Sequence, residues 1–215
     1  MTPASPTSPT SAEVAENAGG GTAGPDGLPR FRPTGEEVVH EGWAITLVRA
    51  GFVDPEGAAF ERDVVRHPGA VAVVAVTDDD SVVLVRQYRP AIDEWILEVP
   101  AGTRDVAGEA ELRTAQRELA EEVGYAAAEL VLLTRCAITP GFCDEITTVF
   151  LATGLTPVAL DRQGIEERYM RVEYVPLSGF DALVDDGSIV DATTILGVGL
   201  ARRRLGARPP GSGGS

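Results

Sequence analysis

The sequence predicts an α+β fold, in which a mixed β-sheet has helices packed on it. Short β-branched, apolar runs recur between residues 43 and 99 and again between residues 130 and 176. An amphipathic helical segment near residues 109–123 separates the two groups, and a second helical segment at residues 191–204 follows them. A chain of 215 residues is long enough for one domain with a sizeable core and a small appendage.

The two ends of the chain are predicted to be disordered tails, residues 1–30 and residues 206–215. The first is rich in Pro, Ser, Thr, Ala and Gly and has almost no large apolar side chains. Such a segment cannot bury enough surface to offset the entropy lost on ordering. It also lacks the basic start and apolar stretch of a secretory signal. The other tail ends in a Pro-Gly-Ser run, which is typical of a flexible segment.

Residues 31–66 are predicted to form an N-terminal β unit ahead of a main domain at residues 67–205. Residues 43–48 and 60–65 have the composition of strands, and Asp-Pro-Glu-Gly at 54–57 is typical of the turn between them. In the main domain, Asp78-Asp79-Asp80 predicts a turn between two buried strands. The predicted strands of this domain are residues 70–76, 82–88, 95–99, 130–137, 147–151 and 170–176. The last helix is predicted to face the core with Ile195, Leu196 and Leu200.

The charge of the chain argues against several classes of partner. The formal net charge is −15, from 33 acidic and 18 basic residues. Nucleic acids and anionic membranes attract proteins with a positive field, so we expect neither as a partner. Two cysteines without a disulfide or zinc spacing suit a reducing, cytoplasmic location. The two histidines lie apart in the sequence, so a histidine-based metal site is not expected.

The helix near residues 109–123 carries clustered acidic residues. At about 100° per residue, Leu112, Ala115, Leu119 and Val123 form the core stripe. Glu118, Glu121 and Glu122 then line one edge of the buried face. Like charges at this spacing repel each other, and a divalent cation such as Mg²⁺ or Mn²⁺ would compensate. On spacing alone, a solvated acidic face ended by a Gly124 cap remains an equal alternative.

The segment Arg-Glu-Leu-Ala-Glu-Glu-Val-Gly-Tyr at 117–125 resembles the core of the Nudix box. Glu109 stands at the expected distance before it, although six residues rather than the usual five separate Gly102 from Glu109. The resemblance covers about residues 40–205. It implies the Nudix fold, a mixed β-sheet sandwiched between helices, here with extra N-terminal strands.

Segments on both sides of the box resemble the bacterial ADP-ribose pyrophosphatase branch of this family. They are Arg-Gln-Tyr-Arg at 86–89, Glu-Val-Pro-Ala-Gly at 98–102, and Thr-Pro-Gly-Phe-Cys-Asp-Glu at 139–145, which contains Pro140. The resemblance implies hydrolysis of the diphosphate of a nucleoside diphosphate linked to a sugar. ADP-ribose, giving AMP and ribose 5-phosphate, is the leading substrate. It also implies a homodimer built with the N-terminal strands.

The resemblance assigns roles to particular residues. Metal binding falls to Glu118, Glu122 and the carbonyl of Ala101, and Glu121 is a ligand or orients the attacking water. Arg117 is implied to hold the helix and the preceding loop together. The residues implied to bind substrate are Arg62, Arg89 and Glu145. For these three the alternatives are exposed strand arginines and a loop cap.

A catalytic base is expected in the loop at residues 163–168, with Glu167 favoured and Glu166 next. A solvated charged loop is the alternative. Three rival functions remain: hydrolysis of another nucleotide sugar or nucleotide, a non-catalytic Nudix module that senses a nucleotide, and a purely structural protein. The retained acids Glu118, Glu121 and Glu122, and the lack of a basic helix-turn-helix after the core, argue against the sensing module.

Overall fold

The computed structural model describes residues 27–160 and 167–206. The chain divides into two compact units, which meet in sequence between Arg66 and His67. Most of the two predicted tails, residues 1–26 and 207–215, lies outside the described residues, as does Glu166.

The N-terminal unit is a three-stranded antiparallel sheet in the order β1-β2-β3. Its strands are β1 (Arg32–Glu41), β2 (Thr46–Val53) and β3 (Ala59–Arg66). The predicted turn between β2 and β3 is present, and Asp54 Oδ1 accepts a hydrogen bond of 2.7 Å from the amide of Ala58. The prediction missed β1, because all ten of its residues are exposed and no buried apolar face marks it. It also placed β2 about three residues too early.

The second unit is built on a seven-stranded sheet with the path β10-β5-β4-β9-β8, where β6 pairs with β5 and β7 with β4. The strands are β4 (Ala70–Val76), β5 (Ser81–Arg89), β6 (Glu94–Glu98), β7 (Ala101–Thr103), β8 (Tyr125–Ala137), β9 (Ile146–Pro157) and β10 (Arg171–Pro176). The β4–β9 pair is parallel and the other pairs are antiparallel. The predicted mixed sheet is therefore confirmed.

Helices cover both faces of this sheet. They are α1 (Glu111–Val123), α2 (Phe180–Asp185) and α3 (Ala192–Gly206). Because side chains alternate along β4, Val71 and Val73 pack with Leu119 of α1, whereas Val74 on the opposite face packs with Val198 of α3. The sheet is thus sandwiched between α1 and the C-terminal helices, as predicted.

Two details of the helices differ from the prediction. Leu112 is 52% exposed, while Glu118 and Glu122 are only 9% and 4% exposed. The buried arc of α1 is therefore displaced toward the glutamates, because β7 packs against that side of the helix. In α3, Leu196 is 41% exposed and Gly197, Val198 and Ala201 form the buried face instead.

None of the helices within residues 27–160 and 167–206 has the length and apolar content needed to span a membrane. Cys136 is half-buried and Cys143 is buried, and neither forms a disulfide. The cytoplasmic location expected from these cysteines stays a prediction.

Candidate active site

The centre of the site is the segment Val99–Gly102, which runs from the end of β6 into β7 and faces α1. Pro100 cannot donate a backbone hydrogen bond, so regular strand pairing stops at this point. The carbonyl of Pro100 accepts a hydrogen bond of 2.8 Å from the amide of Val73. The amide of Ala101 donates one of 3.0 Å to Oε2 of Glu122. The segment is thereby fixed to β4 on one side and to α1 on the other.

Gly102 allows the closest approach in the site. A Cβ atom at this position would overlap the carboxyl group of Glu118. The absence of a side chain at Gly102 is therefore what lets the carboxylate lie against the backbone of β7. The Glu-Val-Pro-Ala-Gly segment and the acidic helix form one structural unit for this reason.

Glu118 and Glu122 are buried carboxylates, and for both the cost of burial outweighs the favourable groups around them. The pKa of Glu118 is raised to about 7, mainly by burial and also by the charges of Glu121 and Glu167, while Arg117 counteracts the rise. Burial also raises the pKa of Glu122 well above its usual range, against the hydrogen bond from the Ala101 amide. The charges of Glu118 and Glu167 add to that rise. Two acids that resist ionisation so close together favour the binding of a cation.

Arg117 connects α1 with the loop before it. Its Nη1 lies 2.8 Å from Glu118 Oε1 and 3.0 Å from Glu121 Oε2. Its Nη2 lies 3.4 Å from Glu109 Oε2 and 3.7 Å from Asp105 Oδ1. Glu109 thus reaches Arg117 in spite of the extra residue in the loop, which local turns between Thr103 and Glu109 take up.

The donor set fits a hard divalent cation. Mg²⁺ and Mn²⁺ prefer oxygen ligands, and Mg²⁺ usually binds to one or two carboxylates together with waters and substrate phosphates. Glu118 and Glu122 supply two such carboxylates beside the backbone of Ala101 and Gly102. Within the described ranges, no three His, Cys, Asp or Glu side chains converge into a complete metal cage. The arrangement therefore suits a cation that shares its coordination sphere with the substrate.

A cavity of about 320 Å³ opens beside this segment. Its charged lining residues are Arg89, Glu98, Glu145 and Asp191, and His67, Ala101 and Gly102 also line it. Arg89 Nε lies 2.8 Å from Oε2 of Glu98, whose side chain is only 8% exposed. Burial raises the pKa of Glu98, and the bond from Arg89 partly offsets this. The cavity has a size and a polar lining that suit a small ligand with hydroxyl groups, and Arg89 can bind an anionic group of that ligand.

The NUDIX domain profile matches residues 66–189, which is more than half of the chain. The chain belongs to the Nudix family. An ADP-ribose pyrophosphatase of Bacillus subtilis is 40% identical over 159 residues, covering 74% of this chain and 85% of that protein. An ADP-ribose pyrophosphatase of Mycobacterium tuberculosis is 39% identical over 168 residues, covering 78% of this chain and 81% of that protein. A solved structure of an ADP compounds hydrolase superposes with a TM-score of 0.73 at 24% identity, covering 83% of this chain and 96% of that one, and supports the Nudix fold.

The structure brings most of the predicted site residues together around the Nudix helix. Glu118, Glu122 and the Ala101 backbone are adjacent, and Glu167 lies near enough to act on the pKa of both glutamates. Glu121 is half-buried against Arg117. The cavity contains two of the three predicted substrate-binding residues, Arg89 and Glu145.

Arg62 lies in the N-terminal unit, on β3, where its guanidinium stacks 4.8 Å above the ring of Phe60. Its predicted contact with substrate therefore stays a prediction. In the Nudix unit, Glu145 accepts a hydrogen bond of 2.9 Å from Thr147, which keeps the alternative of a loop cap open.

Sequence reasoning assigned no role to Glu98, His67 or Asp191, all of which line the cavity. Glu98 is the first residue of the Glu-Val-Pro-Ala-Gly segment, but only its bond to Arg89 singles it out. Asp191 was placed at the start of the last helix, where its side chain accepts a hydrogen bond of 2.7 Å from the amide of Thr194. A helix-capping aspartate is common, so the sequence carries no signal for its place beside Arg89.

Proposed function

We propose that this Nudix protein hydrolyses the diphosphate of a nucleoside diphosphate linked to a sugar, with ADP-ribose as the main substrate. The observation that carries the proposal is the placement of Glu118 and Glu122 against the Ala101–Gly102 backbone, beside a cavity that contains Arg89. The ADP-ribose pyrophosphatase relatives, at about 40% identity over most of their length, support the choice of substrate.

The cofactor in this proposal is Mg²⁺ or Mn²⁺, held by Glu118, Glu122 and the Ala101 carbonyl. When bound, such a cation neutralises the diphosphate and makes an attacking water more acidic. Glu121, restrained by Arg117 at 3.0 Å, is positioned to orient that water or to act as a further ligand.

The chain's own residues supply binding and proton transfer. The guanidinium of Arg89, oriented by Glu98, binds a phosphate oxygen of the substrate. Water adds to one phosphorus, and the bond from that phosphorus to the bridging oxygen breaks. Glu167 accepts the proton that the water loses, as a general base. The products of ADP-ribose are AMP and ribose 5-phosphate.

The test is a panel of ADP-ribose, other nucleotide sugars and nucleoside triphosphates, incubated with Mg²⁺, Mn²⁺ or EDTA. Products are separated by ion-exchange chromatography, which resolves AMP and ribose 5-phosphate directly. We expect metal-dependent turnover with the highest kcat/KM on ADP-ribose. A maximum on another nucleotide would keep the metal site and replace the substrate. Tight nucleotide binding without turnover would instead favour a sensing module.

The metal ligands are tested by Glu122→Gln, which keeps the shape of the side chain and removes its charge. Exposed Glu129 on β8 provides the matched control, Glu129→Gln. We expect kcat to fall by about 100-fold or more in the first variant and to stay within twofold in the control. Full activity of Glu122→Gln at low Mg²⁺ would contradict the ligand assignment.

We further propose a homodimer in which the N-terminal sheet contributes the interface. β1 lies at the edge of its sheet and is exposed along its whole length. Val38 and Val39 on this strand are 58% and 48% exposed, and Trp43 beside it is 101% exposed. A long exposed edge strand with apolar side chains is a surface that proteins normally cover. A monomer mass in light scattering at micromolar concentration would refute the dimer.

A further inference from the structure

We infer that Thr194, supported by Asp191, is a positioning residue for the metal-binding segment Val99–Gly102. This inference rests on the proposed function, because it concerns the backbone carbonyl of Ala101 as a metal ligand. Both residues lie at the start of α3, on the face of the sheet opposite α1.

α3 packs on the segment through Val198 and Ala201 and is hydrogen-bonded to it through Thr194. The amide of Val99 donates to Oγ1 of Thr194 at 2.9 Å. The same hydroxyl donates to Oδ2 of Asp191 at 2.7 Å, and the amide of Thr194 donates to that oxygen at 2.7 Å. The Thr194 side chain is completely buried and Val99 is 1% exposed. The hydroxyl is therefore held in one orientation, with its lone pair toward Val99.

Val99 depends on this hydroxyl because of the sequence around it. β6 ends at Glu98, and Pro100 has no amide hydrogen to continue a ladder. The next two backbone groups are bound by other elements, the Pro100 carbonyl by Val73 and the Ala101 amide by Glu122. Three consecutive residues are thus fixed by α3, β4 and α1 in turn. Together with the pairing of β7 with β4, these bonds set the direction in which the Ala101 carbonyl points.

Removal of the Thr194 hydroxyl leaves the Val99 amide buried without an acceptor. The peptide then has to rotate toward another acceptor or water, and that rotation is passed to Ala101 two residues on. We therefore expect weaker metal binding, although Thr194 itself touches neither metal nor substrate. The role resembles that of the outer residues around many metal sites, which orient the direct ligands.

The experiment compares Thr194→Val, which keeps the shape and removes the hydroxyl, with Thr194→Ser, which restores it. Mn²⁺ binding is measured without substrate, from the electron paramagnetic resonance of free Mn²⁺. We expect Thr194→Val to weaken binding by about 10-fold and Thr194→Ser to stay within twofold of the natural protein. We also expect the fold-decrease in kcat on ADP-ribose to be larger than the fold-change in KM.

The matched control is Thr148→Val. Thr148 is 1% exposed, and its side chain is hydrogen-bonded to Glu111 rather than to the metal-binding segment. This variant loses a buried hydroxyl at similar cost in folding, so it should retain the Mn²⁺ affinity of the natural protein. An equal loss of affinity in Thr148→Val would show that the effect is general destabilisation and would overturn the inference.

Asp191→Ala provides a second variant, in which the Thr194 hydroxyl remains but loses its acceptor. We expect weaker Mn²⁺ binding in the same direction and of smaller size. If Thr194→Val folds and keeps the Mn²⁺ affinity of the natural protein, the inference is overturned. If Thr194→Val does not fold, an unchanged Mn²⁺ affinity in Asp191→Ala overturns it. Failure of the natural protein itself to bind Mn²⁺ or to hydrolyse any nucleotide sugar would instead overturn the proposed function.

Discussion

At the scale of single residues, the sharpest prediction concerns Gly102, whose replacement should lower activity without unfolding the protein. In Gly102→Ala the new methyl group displaces the Glu118 carboxylate, which is the mobile end of a side chain and can move without unfolding the helix. We expect kcat/KM to fall by about 100-fold, because small misplacements of catalytic groups have effects of this order. The melting temperature should change little.

The control for Gly102→Ala is Gly141→Ala, where an added Cβ meets no atom within 4 Å. Steady-state kinetics and thermal melts of both variants separate the two effects. Equal activity of the two variants would show that the position of Glu118 does not depend on Gly102.

Glu98 is the second residue whose role follows from its contacts. Its carboxylate holds Arg89 through a bond of 2.8 Å at the wall of the cavity. Glu98→Gln weakens that bond and frees the guanidinium to reorient. We expect KM for ADP-ribose to rise about 10-fold with a smaller change in kcat, as is typical when a ground-state binding group is loosened. A fall in kcat at constant KM would assign Glu98 a direct part in the chemistry.

At the scale of elements, α1 is joined to β8 by Glu111 and Arg135, whose Oε2 and Nη2 lie 2.6 Å apart. The guanidinium of Arg135 lowers the pKa of the Glu111 carboxyl. A lowered pKa in the folded state stabilises the protein above the ordinary carboxyl pKa, and this stability is lost as the pH falls through the folded-state value.

Glu111→Gln should therefore lower the free energy of unfolding at pH 7 by about 0.5 kcal/mol, because the Arg135 side chain is largely exposed. The difference from the natural protein should shrink as the pH falls below the ordinary carboxyl pKa. Urea melts at pH 7 and at a pH below the ordinary carboxyl pKa measure it, with Glu129→Gln as the control. An equal loss at both values would mean that the ion pair contributes nothing.

The strands and helices that could be predicted from the sequence are those whose side chains alternate or repeat between buried and exposed, or form a buried apolar run. β4 was located at both of its ends, because its apolar run stands between clear turn signals. β1 was missed, because none of its side chains is buried, and β7 was missed because three residues carry no pattern. The helix α1 was predicted nearly correctly, but a helical angle alone could not show that β7 covers its glutamates.

At the scale of the whole molecule, the predicted mixed sheet between helices and the Nudix family are confirmed. The acidic residues of the candidate site could be predicted because they lie close together in one helix. Asp191 and Thr194 could not, because about 70 residues separate them from the nearest Nudix-box residue and only the folded sheet brings α3 to Val99.

Metal binding should couple to the stability of the whole Nudix unit. Ligand that binds only the folded state stabilises it by about 2.7 kcal/mol at 100 times its Kd. We expect Mg²⁺ to raise the melting temperature by about 5–10 °C over EDTA, the range for a protein of this size. Glu122→Gln should lose most of this rise. An identical melting temperature in Mg²⁺ and EDTA would contradict a site formed by Glu118 and Glu122.

The loop between Gly102 and Glu109 can change in length without moving the residues at its two ends. Its start is fixed by the bond of 3.0 Å from the Arg104 amide to the Gly69 carbonyl, and its end by the pairing of Glu109 with Arg117. A loop whose ends are held by other elements accepts insertions at a cost that grows slowly with length. The number of residues between Gly102 and Glu109 is therefore a poor criterion for recognising related sites. A glycine opposite the glutamate at position 118 is a better one.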